Sequence, residues 1–258
     1  MTTEIPVPAY VPPAGKRLFV GIRVSVATTN ALAAAVETLV RRAKDAPSVR
    51  PTDLRWVAPT SYHITLKYLG FTHVETVGAV CDSLDTAVRG VQRFGFRVAR
   101  LGAFDSLDQA RVLWAGVEDD RPLVDLATRI ETAMVELGFQ PDRRPFKPHV
   151  TLARLPETRA LRDLVLPSSE QMFSETKVDG VTLFESETKP TGSVHTEIRK
   201  ITFKPAETAI RSGSERQTPA LDLSAPRETQ LSSDTDDGWP RGQGPTELGF
   251  EALKSRDH

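Results

Sequence analysis

His63-Ile64-Thr65-Leu66-Lys67-Tyr68-Leu69 and His149-Val150-Thr151-Leu152-Ala153-Arg154-Leu155 are two copies of one short pattern, and the fold follows from reading both as strands. On a strand, side chains alternate between faces, so each His and its Thr share one face while Ile64 and Leu66, or Val150 and Leu152, share the other. The aliphatic face anchors each strand in a core and the polar face is left open. Upstream of each copy the order is the same: a strand, a long helix and a proline-containing loop. A duplication at this scale predicts two similar α+β lobes related by a pseudo-two-fold axis, with a cleft between them.

Working outward from the two blocks, Arg17 to Val24 (RLFVGIRV) is a buried strand by its β-branched and apolar content. Leu32, Ala35, Val36, Leu39 and Val40 recur at helical spacing over about Thr29 to Ala43, with Thr28 or Thr29 as cap and Arg41, Arg42 and Lys44 at the C-terminal end. Leu54 to Val57 and Tyr62 to Leu69 read as strand, about His73 to Arg89 as helix, and Phe94 to Leu101 as strand. In the second half, Arg111 to Val117 is a strand, about Pro122 to Leu137 a helix closed by Gly138, and His149 to Leu155 a strand. A short helix around Glu157 to Leu164 and strands near Lys177 to Glu185 and His195 to Phe203 complete the order.

The ends differ from this middle. Residues 1–15 carry Pro6, Pro8, Pro12 and Pro13 and are expected to be flexible; they lack the basic stretch and apolar run of a signal peptide. Residues 205–258 are rich in Ser, Thr, Pro, Gly, Asp and Glu with scattered apolar residues, which predicts a disordered, dispensable tail after a folded domain over 16–204. The tail is acidic, so the net charge of −1 over 258 residues conceals a slightly basic folded part, suited to a phosphate-bearing ligand. No apolar run has the roughly 20 residues needed to span a bilayer. A soluble cytoplasmic protein without membrane partners is expected. The single cysteine, Cys81, lies in the apolar pattern Val77, Val80, Leu84, Val88 and is assigned to the core.

The paired blocks point to acid-base chemistry. Cleavage of a phosphodiester needs one group to take a proton from the nucleophile and another to give one to the leaving oxygen. Histidine serves either role because its ordinary pKa of about 6.5 leaves both forms accessible. Thr65 and Thr151 can donate hydrogen bonds to non-bridging phosphate oxygens and hold the phosphorus between two imidazoles. Lys67 is in phase with His63 and Thr65 on a regular strand, which offers its ammonium to phosphate or RNA backbone. Arg154 is out of phase with His149 and Thr151 if that strand is regular.

The chain resembles the LigT-like RNA 2′,3′-cyclic phosphodiesterases, historically called 2′-5′ RNA ligases, of the two-histidine phosphoesterase superfamily. The resemblance covers roughly Arg17 to Phe203. It rests on RLFVGI, Trp56, HITLKYLG, RVLWAGV, FKPHVTLAR and VTLFES before Lys189-Pro190-Thr191-Gly192. It implies a bilobal α+β fold, two pseudo-symmetric antiparallel-sheet lobes with outer helices and the active site in a central cleft, and metal-independent opening of RNA 2′,3′-cyclic phosphate ends to 2′-phosphomonoesters, with no cofactor. His63 would then be the proton donor and His149 the base that activates water. Thr65 and Thr151 would hold the phosphate and Arg154 would contact substrate. RNA ends or nucleoside 2′,3′-cyclic phosphates are the implied partners of a chain expected to be monomeric. Many relatives carry a tyrosine where this chain has His195, which leaves substrate preference open and favours an ordinary edge-strand residue there. His73 and His258 have no partner pattern.

Three other readings compete with this one. A metalloenzyme lacks a sequence basis: there is no H-E-x-x-H, no close His/Asp cluster and no cysteine pair. A non-catalytic RNA- or nucleotide-binding module is disfavoured by intact histidines and threonines in both copies. Ligation is the reverse reaction on the same site, which sequence does not separate from hydrolysis; no G-x-x-x-x-G-K-[ST] loop supports a nucleotide-driven version.

Overall fold

A computed structural model describes residues 14–189 and 192–203. The expected tail, most of the N-terminal segment and two residues of the late loop lie outside the described residues. In chain order the elements are β1 (Gly15–Arg23), α1 (Val26–Ala43), β2 (Arg55–Trp56), β3 (His63–His73), α2 (Val77–Ala87), β4 (Phe94–Asp105), β5 (Ala110–Glu118), α3 (Arg121–Glu136), β6 (His149–Arg159), α4 (Arg162–Val165), β7 (Met172–Val178), β8 (Gly180–Lys189) and β9 (Gly192–Thr202).

The antiparallel strands form one sheet in the order β7-β4-β5-β6-β3-β1-β8-β9, with β2 added on β6. The continuous sheet divides at its middle into two halves, β6-β5-β4-β7 and β3-β1-β8-β9. They meet where β3 pairs with β6, through a single register pair, Ile64 with Val150. These are the residues immediately after the two histidines, so the seam of the sheet fixes the spacing of the H-x-T blocks. Ile64, Leu66, Val150 and Leu152 are all buried, as the alternation requires.

Each half borrows a helix from the other. α1 follows β1 but docks on β7, where Ser25 N–H donates to Thr176 Oγ1 at 3.0 Å and the Thr28 and Thr176 hydroxyls meet at 3.1 Å. α3 follows β5 but lies over β3, and α2 packs against α3. Leu32, Leu39, Leu123, Leu126, Ile130 and Met134 line the faces these helices bury. Cys81 lies in the same core, as its pattern predicted. No described helix is long and apolar enough to cross a membrane.

Element ends moved for local reasons. α1 starts earlier than expected because Ser25, not Thr28 or Thr29, caps it: its hydroxyl accepts from Thr28 N–H at 3.1 Å. β3 runs on to His73, and a 3₁₀ turn over Val74–Thr76 delays α2 to Val77. β6 likewise extends to Arg159, leaving α4 as one turn. Gly138 ends α3 as expected, at φ +91°, where any side chain would be strained.

Candidate active site

Both strands that carry the histidines contain a bulge at the same position. β1 pairs Val20 with Lys67 and Gly21 with Thr65, so Leu66 is an extra residue in β3. β5 pairs Leu113 with Ala153 and Trp114 with Thr151, so Leu152 is extra in β6. An extra residue on one strand reverses the facing of everything after it. The consequence differs in the two strands because the residues that follow differ.

In β3 the bulge turns Lys67 inward. It is 1% exposed, with its ammonium bound to the Gln140 carbonyl at 2.9 Å, Glu131 at 2.7 Å and Asp142 at 3.3 Å. The expectation that Lys67 faces phosphate beside His63 assumed a regular strand and is corrected. In β6 the bulge does the reverse: Arg154, out of phase on a regular strand, returns to the side of His149 and Thr151. Its guanidinium is close enough to depress the pKa values of His63, His149 and His195. Of the two cations singled out in the sequence, the geometry keeps Arg154 at the histidines and removes Lys67.

The imidazoles are held alike. His63 Nδ1–H donates to the Ser61 carbonyl and His149 Nδ1–H to the Lys147 carbonyl, both at 2.7 Å and both two residues upstream. A carbonyl only accepts, so each bond fixes the Nδ1–H tautomer and leaves Nε2 as the reactive nitrogen. At His63 the Thr65 hydroxyl donates to Nε2 at 3.1 Å. Thr65 and Thr151 are both half-buried on the histidine side of the sheet.

Aromatic rings wall both sites. Phe19 lies 4.8 Å from the His63 ring and stacks on Phe184 at 5.0 Å, while Phe104 meets His149 edge-on at 4.9 Å and Trp114 at 5.4 Å. Gly21 keeps the strand beside His63 free of a side chain: a Cβ there would sit 2.8 Å from the Ile64 carbonyl oxygen and 3.5 Å from His63 Cδ2. Sequence reading missed these rings and also Arg23, which spans the Thr60 carbonyl and Glu197 and lies over Phe184 at 5.0 Å. One signal for them was present: Phe104-Asp105-Ser106 and Phe184-Glu185-Ser186 are a second internal repeat.

His195 is on edge strand β9, but its ring is 4.9 Å from His63 and 5.0 Å from Phe19, each edge-on. It is a third imidazole at the site, more than the edge-strand polar residue expected. Its Nδ1 is buried and has no hydrogen-bond partner among the described residues.

Burial dominates the electrostatics. It pushes the His63 imidazole down to about 4, against the Ser61 carbonyl, which favours the charged form; His195, Arg23 and Arg154 push it further down. His149 is lowered by burial first and Arg154 next, opposed by the Lys147 carbonyl. His195 is lowered by burial, Arg23 and Arg154. Imidazoles held toward the neutral form beside guanidinium charge make an environment that favours an anion.

Comparison with known proteins gives a consistent set. The profile of the 2′-5′ RNA ligase superfamily matches residues 28–190. An RNA 2′,3′-cyclic phosphodiesterase of Geobacillus stearothermophilus is 34% identical over 146 residues, 54% of this chain; the match spans 46% of that relative's length. One of Archaeoglobus fulgidus is 30% identical over 55% of this chain and 80% of its own. Among solved structures, the protein TT0787 of Thermus thermophilus superposes with a TM-score of 0.58 at 28% identity, over 73% of this chain and 98% of that one.

Proposed function

Because this chain belongs to the 2′-5′ RNA ligase superfamily, we propose that it hydrolyses RNA 2′,3′-cyclic phosphate ends to 2′-phosphomonoesters, as an RNA 2′,3′-cyclic phosphodiesterase like its named relatives. The observation that carries the reading is the matched pair of imidazoles. Each has Nδ1 tied to a carbonyl two residues back, which leaves Nε2 as the nitrogen available for proton transfer, and their strands are linked through the Ile64–Val150 pair.

The steps follow from these groups. A 2′,3′-cyclic phosphate binds with its non-bridging oxygens toward the Thr65 and Thr151 hydroxyls and the Arg154 guanidinium. His149 Nε2 takes a proton from water as the oxygen attacks phosphorus. His63, protonated in the bound complex, delivers its Nε2 proton to O3′ as the P–O3′ bond breaks, leaving the phosphate on O2′. Negative charge added at phosphorus is met by the two hydroxyls and Arg154. With the 5′-hydroxyl of a second RNA end in place of water, the same steps would form a 2′–5′ phosphodiester as the P–O3′ bond breaks; bulk water favours hydrolysis. We place the reaction in the cytoplasm. One chain carries both histidines, so a monomer contains the whole site.

Turnover of a nucleoside 2′,3′-cyclic phosphate should fall about 10²- to 10⁴-fold in His63→Ala and in His149→Ala, the range for losing a general acid or base. Their combination should lose less than the product of the two losses, because the pair acts as a unit. Near-normal turnover in either single variant would sink the two-histidine reading.

A further inference from the structure

The two proline loops that lead into the histidines are secured differently. Before His63, the chain is stitched to the partner strand by backbone: Arg55 and Trp56 of β2 pair with Arg154 and Ala153 of β6, and Val57 N–H donates to the Leu152 carbonyl at 2.9 Å. Before His149, residues 140–148 form no strand, and among the described residues they make no backbone–backbone hydrogen bond to β3. At the position of β3 that matches Ala153 of β6 stands Lys67.

We propose that Lys67 is the positioning residue for His149, replacing with one ammonium the strand pairing that the other half uses. The proposal rests on the reading of His149 as the base. Lys67 lies two residues beyond Thr65 on the strand of His63, and its ammonium donates to the Gln140 carbonyl and is ion-paired with Glu131 and Asp142. Glu131, on α3, also accepts Asp142 N–H at 2.8 Å, so helix, loop and strand are tied at one point. From there the loop runs to Lys147, whose carbonyl fixes the His149 tautomer. A buried ammonium persists only when its donors are paired, so the loop cannot drift from β3 without leaving that charge unmatched. Lys67 thereby links the strand of one histidine to the approach of the other.

The test uses the full chain with a nucleoside 2′,3′-cyclic phosphate. Lys67→Met should lower kcat roughly ten- to a hundredfold, the scale of small misplacement of a reacting group, with KM changed less than kcat. The ¹⁵N shifts of His149 should show loss of the single Nδ1–H tautomer while those of His63 stay. Lys67→Arg should restore part of both. Wild-type kcat and an unchanged His149 signal in folded Lys67→Met would overturn the proposal. If Lys67→Met does not fold, Glu131→Gln combined with Asp142→Asn changes only partly exposed carboxylates. It should shift kcat and the His149 signal in the same directions, and wild-type values there would overturn the brace equally. His149→Ala separates the two readings: retained turnover would remove the base assignment, whereas an inactive His149→Ala beside fully active brace variants would remove the brace alone.

Discussion

The Thr65 hydroxyl has two duties that compete: it donates to His63 Nε2 in the structure and, in the proposed mechanism, to a phosphate oxygen. Thr65→Val keeps the branched shape and removes both donations. Turnover should drop about ten- to a thousandfold with the thermal transition retained, the range for removing one donor to developing charge; Thr151→Val should do the same, and unchanged kinetics in both would put the phosphate elsewhere. The histidines add a pH signature. A bell-shaped kcat/KM reports the free enzyme, where His63 must be protonated although burial holds it at about 4, and where His149, also depressed, must be neutral. Both limbs therefore belong below 6.5, as coupled constants of the pair. An anionic phosphate beside the imidazoles favours their charged forms, so the kcat profile should move to higher pH than that of kcat/KM. Superimposable profiles would mean that the phosphate does not sit against His63.

At the scale of strands, what was legible in the sequence was whatever depends on period. The H-x-T alternation gave the facing of His63, Thr65, His149 and Thr151 because two residues are too few for a ladder to slip. The bulges at Leu66 and Leu152 were not legible, since one inserted residue changes pairing and leaves no compositional mark. Lys67 was therefore assigned to the wrong face, and Arg154 was left out of phase although it stands beside both histidines. His195 was unreadable for another reason. Its face depends on β9 pairing with β8 and β8 with β1, contacts between residues far apart in the chain. The corrected facing of Arg154 can be tested: Arg154→Gln removes a cation that depresses all three imidazoles and a charged donor to phosphate. It should lower kcat/KM roughly ten- to a hundredfold, the scale of a hydrogen bond to a charged group, and raise the His63 pKa toward 6.5. A variant with full activity and an unmoved His63 titration would return Arg154 to the solvent side of a regular strand.

For the whole molecule, three imidazoles held neutral at one seam make stability depend on pH. Unfolded, each takes up a proton near pH 6.5. Folded, His63 stays neutral down to about 4, and His149 and His195 are lowered in the same direction. Between those values the unfolded chain binds more protons than the folded one, so stability is complete above pH 6.5 and falls as pH drops toward 4. The depressed carboxylates Asp53 and Asp108 act in a separate window, because their lowered values lie under 3.8. Thermal melts at fixed ionic strength should show Tm declining from pH 6.5 to 4, and His63→Asn should flatten that decline without altering the melt above pH 7.5. A nucleoside 2′-monophosphate, the proposed product, binds only the folded site and raises Tm by mass action. Its negative charge makes protonated imidazoles acceptable, so the rise should be larger at pH 5.5 than at pH 7.5. Equal rises at both, together with a decline that His63→Asn leaves intact, would place both the buried neutral charge state and the anion away from the strand seam.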